Sequence, residues 1–124
     1  MSLFQGIYRV AVTGGRNYNN PALVWKTLDQ ILDENPQIVL VVGDCPTGAD
    51  LHAREWAESR CITFPHEPHG FPANWKKHGK SAGPKRNKDM VDFGFDLLFA
   101  FPGGAGTANM IKLTRYKGIK VIEV

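Results

Sequence analysis

The chain has 124 residues, 43% of them hydrophobic, so one soluble domain spanning residues 1–124 is expected, with a core that needs no disulfide or metal. Its 15 basic and 12 acidic residues leave a net charge of +3, which favours anionic ligands but is too modest, and too dispersed along the chain, to argue for nucleic acid by itself. No apolar run approaches the roughly 18 residues of a membrane span. Met1–Gly6 does not read as a signal peptide, and Cys45 and Cys61 lack CxxC spacing, so a cytoplasmic protein with free thiols and no membrane partner is expected.

In chain order, Ile7–Val12 reads as a short strand that ends at Thr13-Gly14-Gly15. Ala22–Glu34 is amphipathic, with Val24, Leu28, Ile31 and Leu32 on one face; Asn20 suits its cap, Pro21 its first turn, and Asn35-Pro36 stops it. Ile38–Val42 is uninterrupted and apolar, as a parallel strand covered on both faces must be, and it ends at Gly43. Thr47-x-x-Asp50 resembles a capping box with Asp in place of Glu. It opens a helix through Arg60 whose inner face is Ala49, Ala53, Trp56 and Ala57. Cys61–Phe64 reads as a third strand, and Pro65 to about Lys80 as a loop rich in Pro, Gly and His. A helix over Gly83–Phe93, a strand over Asp96–Phe101, a helix over Ala105–Lys117 with Gly118 at its C′ position, and a closing strand over Ile119–Val124 follow. This alternation predicts a doubly wound α/β fold with a mainly parallel sheet of about five strands.

In such sheets ligands lie beyond the carboxyl ends of the strands, and three glycine turns fall on that edge. They are Gly14-Gly15-Arg16, Gly43 through Gly48, and Phe101-Pro102-Gly103-Gly104-Ala105-Gly106-Thr107. The last runs from strand into helix, the geometry that lets backbone N–H groups close on a phosphate, with the Thr107 hydroxyl in the first turn. Arg16 is either a solvated loop cation or, through its planar fork, a contact for a phosphate or carboxylate, and its place after the glycines favours the contact. Asp50 is either a cap for its own helix or a partner for ribose hydroxyls. Trp75 either stacks on a base or pins its loop to the core, while Arg86-Asn87 bring basic and amide groups towards the same pocket. Cys45 reads as a small semi-buried residue and His78 as a loop residue, with Met90 and Met110 in the core. His66-x-x-His69 with Glu67 has prolines around it and no third ligand, so neither a metal nor any other cofactor is expected.

Val12-Thr13-Gly14-Gly15-Arg16, Gly48-Ala49-Asp50, Phe71-Pro72-Ala73-x-Trp75, Ala82-Gly83-Pro84-x-Arg86-Asn87 and Pro102-Gly103-Gly104-x-Gly106-Thr107, taken in order, resemble the YspA-type branch of the SLOG superfamily. That superfamily is named for the Smf/DprA and Lonely Guy proteins, and the resemblance covers nearly the whole chain. It implies a single Rossmann-like three-layer domain that binds or senses a nucleotide or an ADP-ribose-like derivative, and a homo-oligomer. The turn Gly43-Asp44-Cys45-Pro46-Thr47-Gly48 departs from the family's Gly-Gly-Ala-like run. Lonely Guy enzymes hydrolyse the N-glycosidic bond of nucleotides with a Glu in Pro-Gly-Gly-x-Gly-Thr-x-x-Glu and an upstream Arg. Here the Arg matches Arg86, but the Glu position is Met110, which handles no proton. The resemblance therefore favours a binding module. A processing enzyme using Asp50 or Asp89 comes second, and DprA-like nucleic-acid binding last.

Overall fold

A computed structural model describes residues 7–64 and 71–124. It contains β1 (Tyr8–Thr13), α1 (Pro21–Glu34), β2 (Ile38–Val42), α2 (Gly48–Ser59), α3 (Trp75–His78), a 3-10 turn (Gly79–Ser81), α4 (Ala82–Phe93), β3 (Leu97–Ala100), α5 (Ala105–Tyr116) and β4 (Lys120–Glu123). The strands form one parallel sheet in the order β2-β1-β3-β4. Val10 lies opposite Leu40 on one side and Leu97 on the other. After β2 the chain crosses back over β1 to build β3, so the strand order switches between β1 and β3.

Alternation along the strands divides the core in two. Val10, Val12, Leu40, Val42, Leu97 and Phe99 face α1 and α2, meeting Val24, Leu28, Ala53 and the fully buried Trp56. Ala11, Val41 and Leu98 face the other way, onto Phe71, Met90, Val91 and Met110 beneath α4 and α5. With helices on both faces, each residue of β2 needs an apolar side chain, hence its unbroken run. Asn20 caps α1 by accepting the Leu23 N–H (3.1 Å), with Pro21 in the first turn. Asp29 ties α1 to α2 by accepting from Trp56 Nε1 (2.8 Å) and twice from Arg60.

Among the described residues the sheet has four strands where the sequence suggests five. Cys61–Phe64 gives only a bridge from Thr63 to Val39 on the outer edge of β2. Cys61 takes a left-handed φ of 57° as the chain folds tightly off α2, so a single residue aligns with β2, and Pro65 next in sequence offers no N–H to a ladder. The stretch expected as loop up to Lys80 holds α3, which Asn74 caps through the Lys77 N–H (3.0 Å). His66, Glu67 and His69 lie outside the described residues. Among the described residues no helix is long and apolar enough to cross a membrane.

Candidate functional site

The three glycine turns lock onto one another. Gly15 donates its N–H to the Pro102 carbonyl (2.9 Å), and its own carbonyl accepts from Tyr18 (3.1 Å) and Ala49 (3.2 Å). Thr47 was read as the cap of α2, but its hydroxyl donates instead to the Arg16 carbonyl (2.7 Å) and makes no capping bond. A Cβ at Gly103 would run into the Thr107 hydroxyl and stand 2.6 Å from the Gly15 nitrogen. One at Gly48, whose φ is +72°, would strike the Gly15 carbonyl and the Arg16 backbone.

Beyond these turns, at the strand switch, opens a cleft of about 640 Å³. Thr13, Gly14, Gly15 and Arg16 line it from the end of β1, and Asp50 from the first turn of α2. Trp75 enters from α3, Arg86 and Asn87 from α4, and Gly104, Gly106 and Thr107 from the start of α5. The other four residues singled out in the sequence, Gly43, Gly48, Pro102 and Gly103, do not line the cleft but lie behind its wall. A shallower depression of about 750 Å³ lies at the amino ends of the strands; its one arginine, Arg60, is already bound to Asp29, and no glycine turn opens onto it.

The floor of the cleft is a polar chain from α2 to α5. Asp50 is buried, and its Oδ2 accepts the Cys45 N–H (3.3 Å), so it ties down the turn before its helix rather than completing a capping box. A Cβ at Gly43 would stand 2.7 Å from both that Oδ2 and the Arg86 Cζ, so the missing side chain lets carboxylate and guanidinium approach. The Arg86 Nη1 lies 3.6 Å from Asp44 Oδ1, and its Nε donates to Asn87 Oδ1 (3.1 Å). Asn87, itself buried, donates to the Gly106 carbonyl (3.1 Å) and to Asn109 Oδ1 (3.0 Å), bracing α4 against α5. Sequence reasoning missed Arg54, a buried cation that donates to the Gly43 carbonyl (3.0 Å). The available signal was its position four residues after Asp50, on the same helical face.

Burial pushes the Asp50 carboxyl up to about 6, against the pull of Arg86, the Cys45 N–H and Arg54, while Asp44 adds to the rise. A carboxyl raised on folding holds more protons in the folded state. Its burial therefore costs nothing below about pH 4, and stability falls as pH rises from there through about 6. From this group wild type is expected to lose at most about 3 kcal/mol over that window, and Asp50→Asn to lose none. Denaturant unfolding across that pH range measures it, and parallel curves for the two proteins would refute the assignment.

The start of α5 opens onto the cleft. No side chain caps it, and a Cβ at Gly104 or Gly106 would meet no heavy atom within 4 Å. The first-turn N–H groups of a helix have no partner within it, and here they border the open cleft. Arg16 is exposed, has no carboxylate partner among the described residues, and lies 6.0 Å from the Trp75 ring centre. Trp75 is 49% exposed on the cleft rim, half open to the cleft and half packed. Its ring edge lies 3.3 Å from where a Gly83 Cβ would be. Cys45 is half-buried in the wall, and His78 sits in α3 rather than in a loop. Met110 is fully buried beneath α5 and lines no part of the cleft; Asp89 is exposed and faces a separate depression behind Arg86. Of the two carboxylates considered as stand-ins for a catalytic Glu, the cleft holds only Asp50.

Comparison with known proteins places this geometry. A family model described as YspA, cpYpsA-related SLOG family matches residues 8–78. The gene 61 protein of Mycobacterium phage D29 is 38% identical over 118 residues, covering 93% of this chain and 94% of that protein. A crystal structure of UDP-N-acetylglucosamine 2-epimerase aligns with a TM-score of 0.54 at 17% identity, over 97% of this chain. The chain spans only 33% of that enzyme, and at such identity the likeness speaks for the Rossmann-like fold alone. With the family model matched over more than half of its length and the phage relative over nearly all of it, the chain belongs to the YspA, cpYpsA-related SLOG family.

Proposed function

We propose that the cleft binds a nucleotide, or a nucleotide derivative carrying ribose and phosphate, and that the protein works as a binding or sensing module. The observation that carries this reading is the uncapped start of α5, with Gly104 and Gly106 open to the cleft. Backbone N–H groups at the positive end of a helix, with no Cβ in the way, suit a phosphate, and Arg16, without a carboxylate partner among the described residues, supplies a guanidinium on the same cleft. Membership of a nucleotide-related family supports the same reading.

A nucleotide-processing enzyme is the second reading, and Asp50 favours it: a buried carboxyl raised to about 6 in a cleft is suited to handling protons near neutral pH. Against the Lonely Guy route stands Met110, which occupies the Glu position and lies in the apolar core. Calorimetry with adenosine monophosphate and ADP-ribose, followed by chromatography of the same samples, separates the two. A module binds and leaves the ligand intact; release of free base that Asp50→Asn abolishes would establish the enzyme. Arg16→Ala is expected to weaken binding by about 1.5–3 kcal/mol, the worth of a hydrogen bond to a charged group. Its unfolding midpoint should not move, because the side chain is exposed. Unchanged affinity in this variant would remove Arg16 from the site.

A further inference from the structure

The positive charge is not dispersed as the chain's modest net value suggests. Between residues 76 and 88 stand Lys76, Lys77, Lys80, Lys85, Arg86 and Lys88, with no acidic residue among them. The remaining nine basic residues face all twelve acidic ones, so the rest of the chain carries −3 (9 − 12). The basic stretch forms most of α3, the 3-10 turn and the first half of α4. Lys88 is paired with Asp92 and Arg86 leans on Asp44. Lys76, Lys77, Lys80 and Lys85 are exposed, and none has a carboxylate partner among the described residues. Like charges gathered this closely repel one another, and an anion laid across them relieves that repulsion.

A second depression, of about 330 Å³, runs along this stretch. Asn74, His78, Lys85 and Lys88 line it, together with the Asp89 carboxylate. Arg86 lines both this depression and the cleft, so the two adjoin at that residue. Trp75, the large exposed aromatic of α3, stands on the cleft side of that junction. An exposed ring beside a run of unpaired cations suits bases that stack and phosphates that follow. The helix is too short for an amphipathic membrane anchor.

We propose that the ligand of the cleft continues past Arg86, as two nucleotide units joined through phosphate, the first seated in the cleft and the second along the lysines of α3 and α4. This rests on the nucleotide reading of the cleft. It adds that a mononucleotide fills only part of the site.

Titration calorimetry of the full chain with adenosine monophosphate, a phosphodiester-linked adenylate dinucleotide, a longer oligoadenylate and inorganic tripolyphosphate tests it. The dinucleotide is expected to bind about tenfold or more tightly than the monophosphate, with a log–log salt slope steeper by about 0.7 for each added phosphate contact. A variant with Lys76, Lys77, Lys80 and Lys85 all changed to Gln should lose that advantage while its affinity for the monophosphate stays within about twofold. Affinity that stops rising at two units marks a free dinucleotide as the ligand, and affinity that keeps rising marks the end of a strand. Equal affinity and equal salt slope for mono- and dinucleotide would overturn the inference and leave the cleft reading standing. So would tripolyphosphate or anionic vesicles binding as well as the dinucleotide. If Gly106→Val weakens neither nucleotide, the cleft reading itself fails and takes this one with it.

Discussion

Gly106→Val is expected to leave the protein folded and to remove most of the affinity for nucleotide monophosphates proposed for the cleft. A Cβ at this position meets no heavy atom within 4 Å, and the backbone is not left-handed, so the fold has no objection to a side chain. The branched side chain instead stands over the first turn of α5, where the phosphate is proposed to dock. Losing two hydrogen bonds to a charged group costs about 1.5–3 kcal/mol each, which weakens a ligand by about 100-fold or more. Gly103→Ala, three residues earlier, has the opposite profile. Its methyl collides with the Thr107 hydroxyl and crowds the Gly15 nitrogen, and overpacking of that kind costs about 1–3 kcal/mol of stability. Calorimetry and denaturant unfolding on both variants check the pair. Wild-type affinity in folded Gly106→Val would move the phosphate elsewhere.

Arg86→Ala is expected to destabilise the fold by about 3 kcal/mol, the scale for removing one partner of a buried charge pair. The guanidinium is the strongest of the groups that hold the buried Asp50 carboxyl down, and it also faces Asp44. Without it, ionising Asp50 becomes harder, so the deficit grows as pH rises above about 6. Adding Asp50→Asn removes the stranded charge and should restore much of the loss. Normal stability at pH 8 with weakened nucleotide binding would instead assign Arg86 to the ligand alone.

The fold was legible wherever local pattern and final environment agree. The unbroken run of β2, the amphipathic face of α1 with Asn20 and Pro21, and the glycine turn before α5 each state their place in the chain. Cys61–Phe64 looks as apolar as a strand, but its pairing is decided by the turn at Cys61, which no side-chain pattern announces. Thr47-x-x-Asp50 has the spacing of a cap, yet both side chains found partners outside their own helix, at Arg16 and Cys45. Arg54, between Ala53 and Glu55, has nothing in its local pattern to mark it as buried, because burial of a cation depends on the Gly43 carbonyl eleven residues away. Of the fifteen residues singled out for the site, eleven line the cleft, since a strand end fixes where its turn must go. Which glycine faces the open cleft and which faces protein is set by neighbours dozens of residues distant, as Gly103 against Gly15 shows.

The mutual locking of the turns through Gly15 has a consequence for how this family's sequences are to be read. Gly14 abuts Ala49 and Phe101, with 2.5 Å and 3.1 Å to a would-be Cβ, and Gly48 and Gly103 are confined as tightly by Gly15 and its neighbours. Selection on folding alone would keep all of these positions free of side chains, in relatives that bind unlike ligands or none. Glycines at 104 and 106 have no such excuse. If the cleft binds as proposed, divergence there, against a constant background at 14, 48 and 103, is expected to mark relatives with a changed ligand.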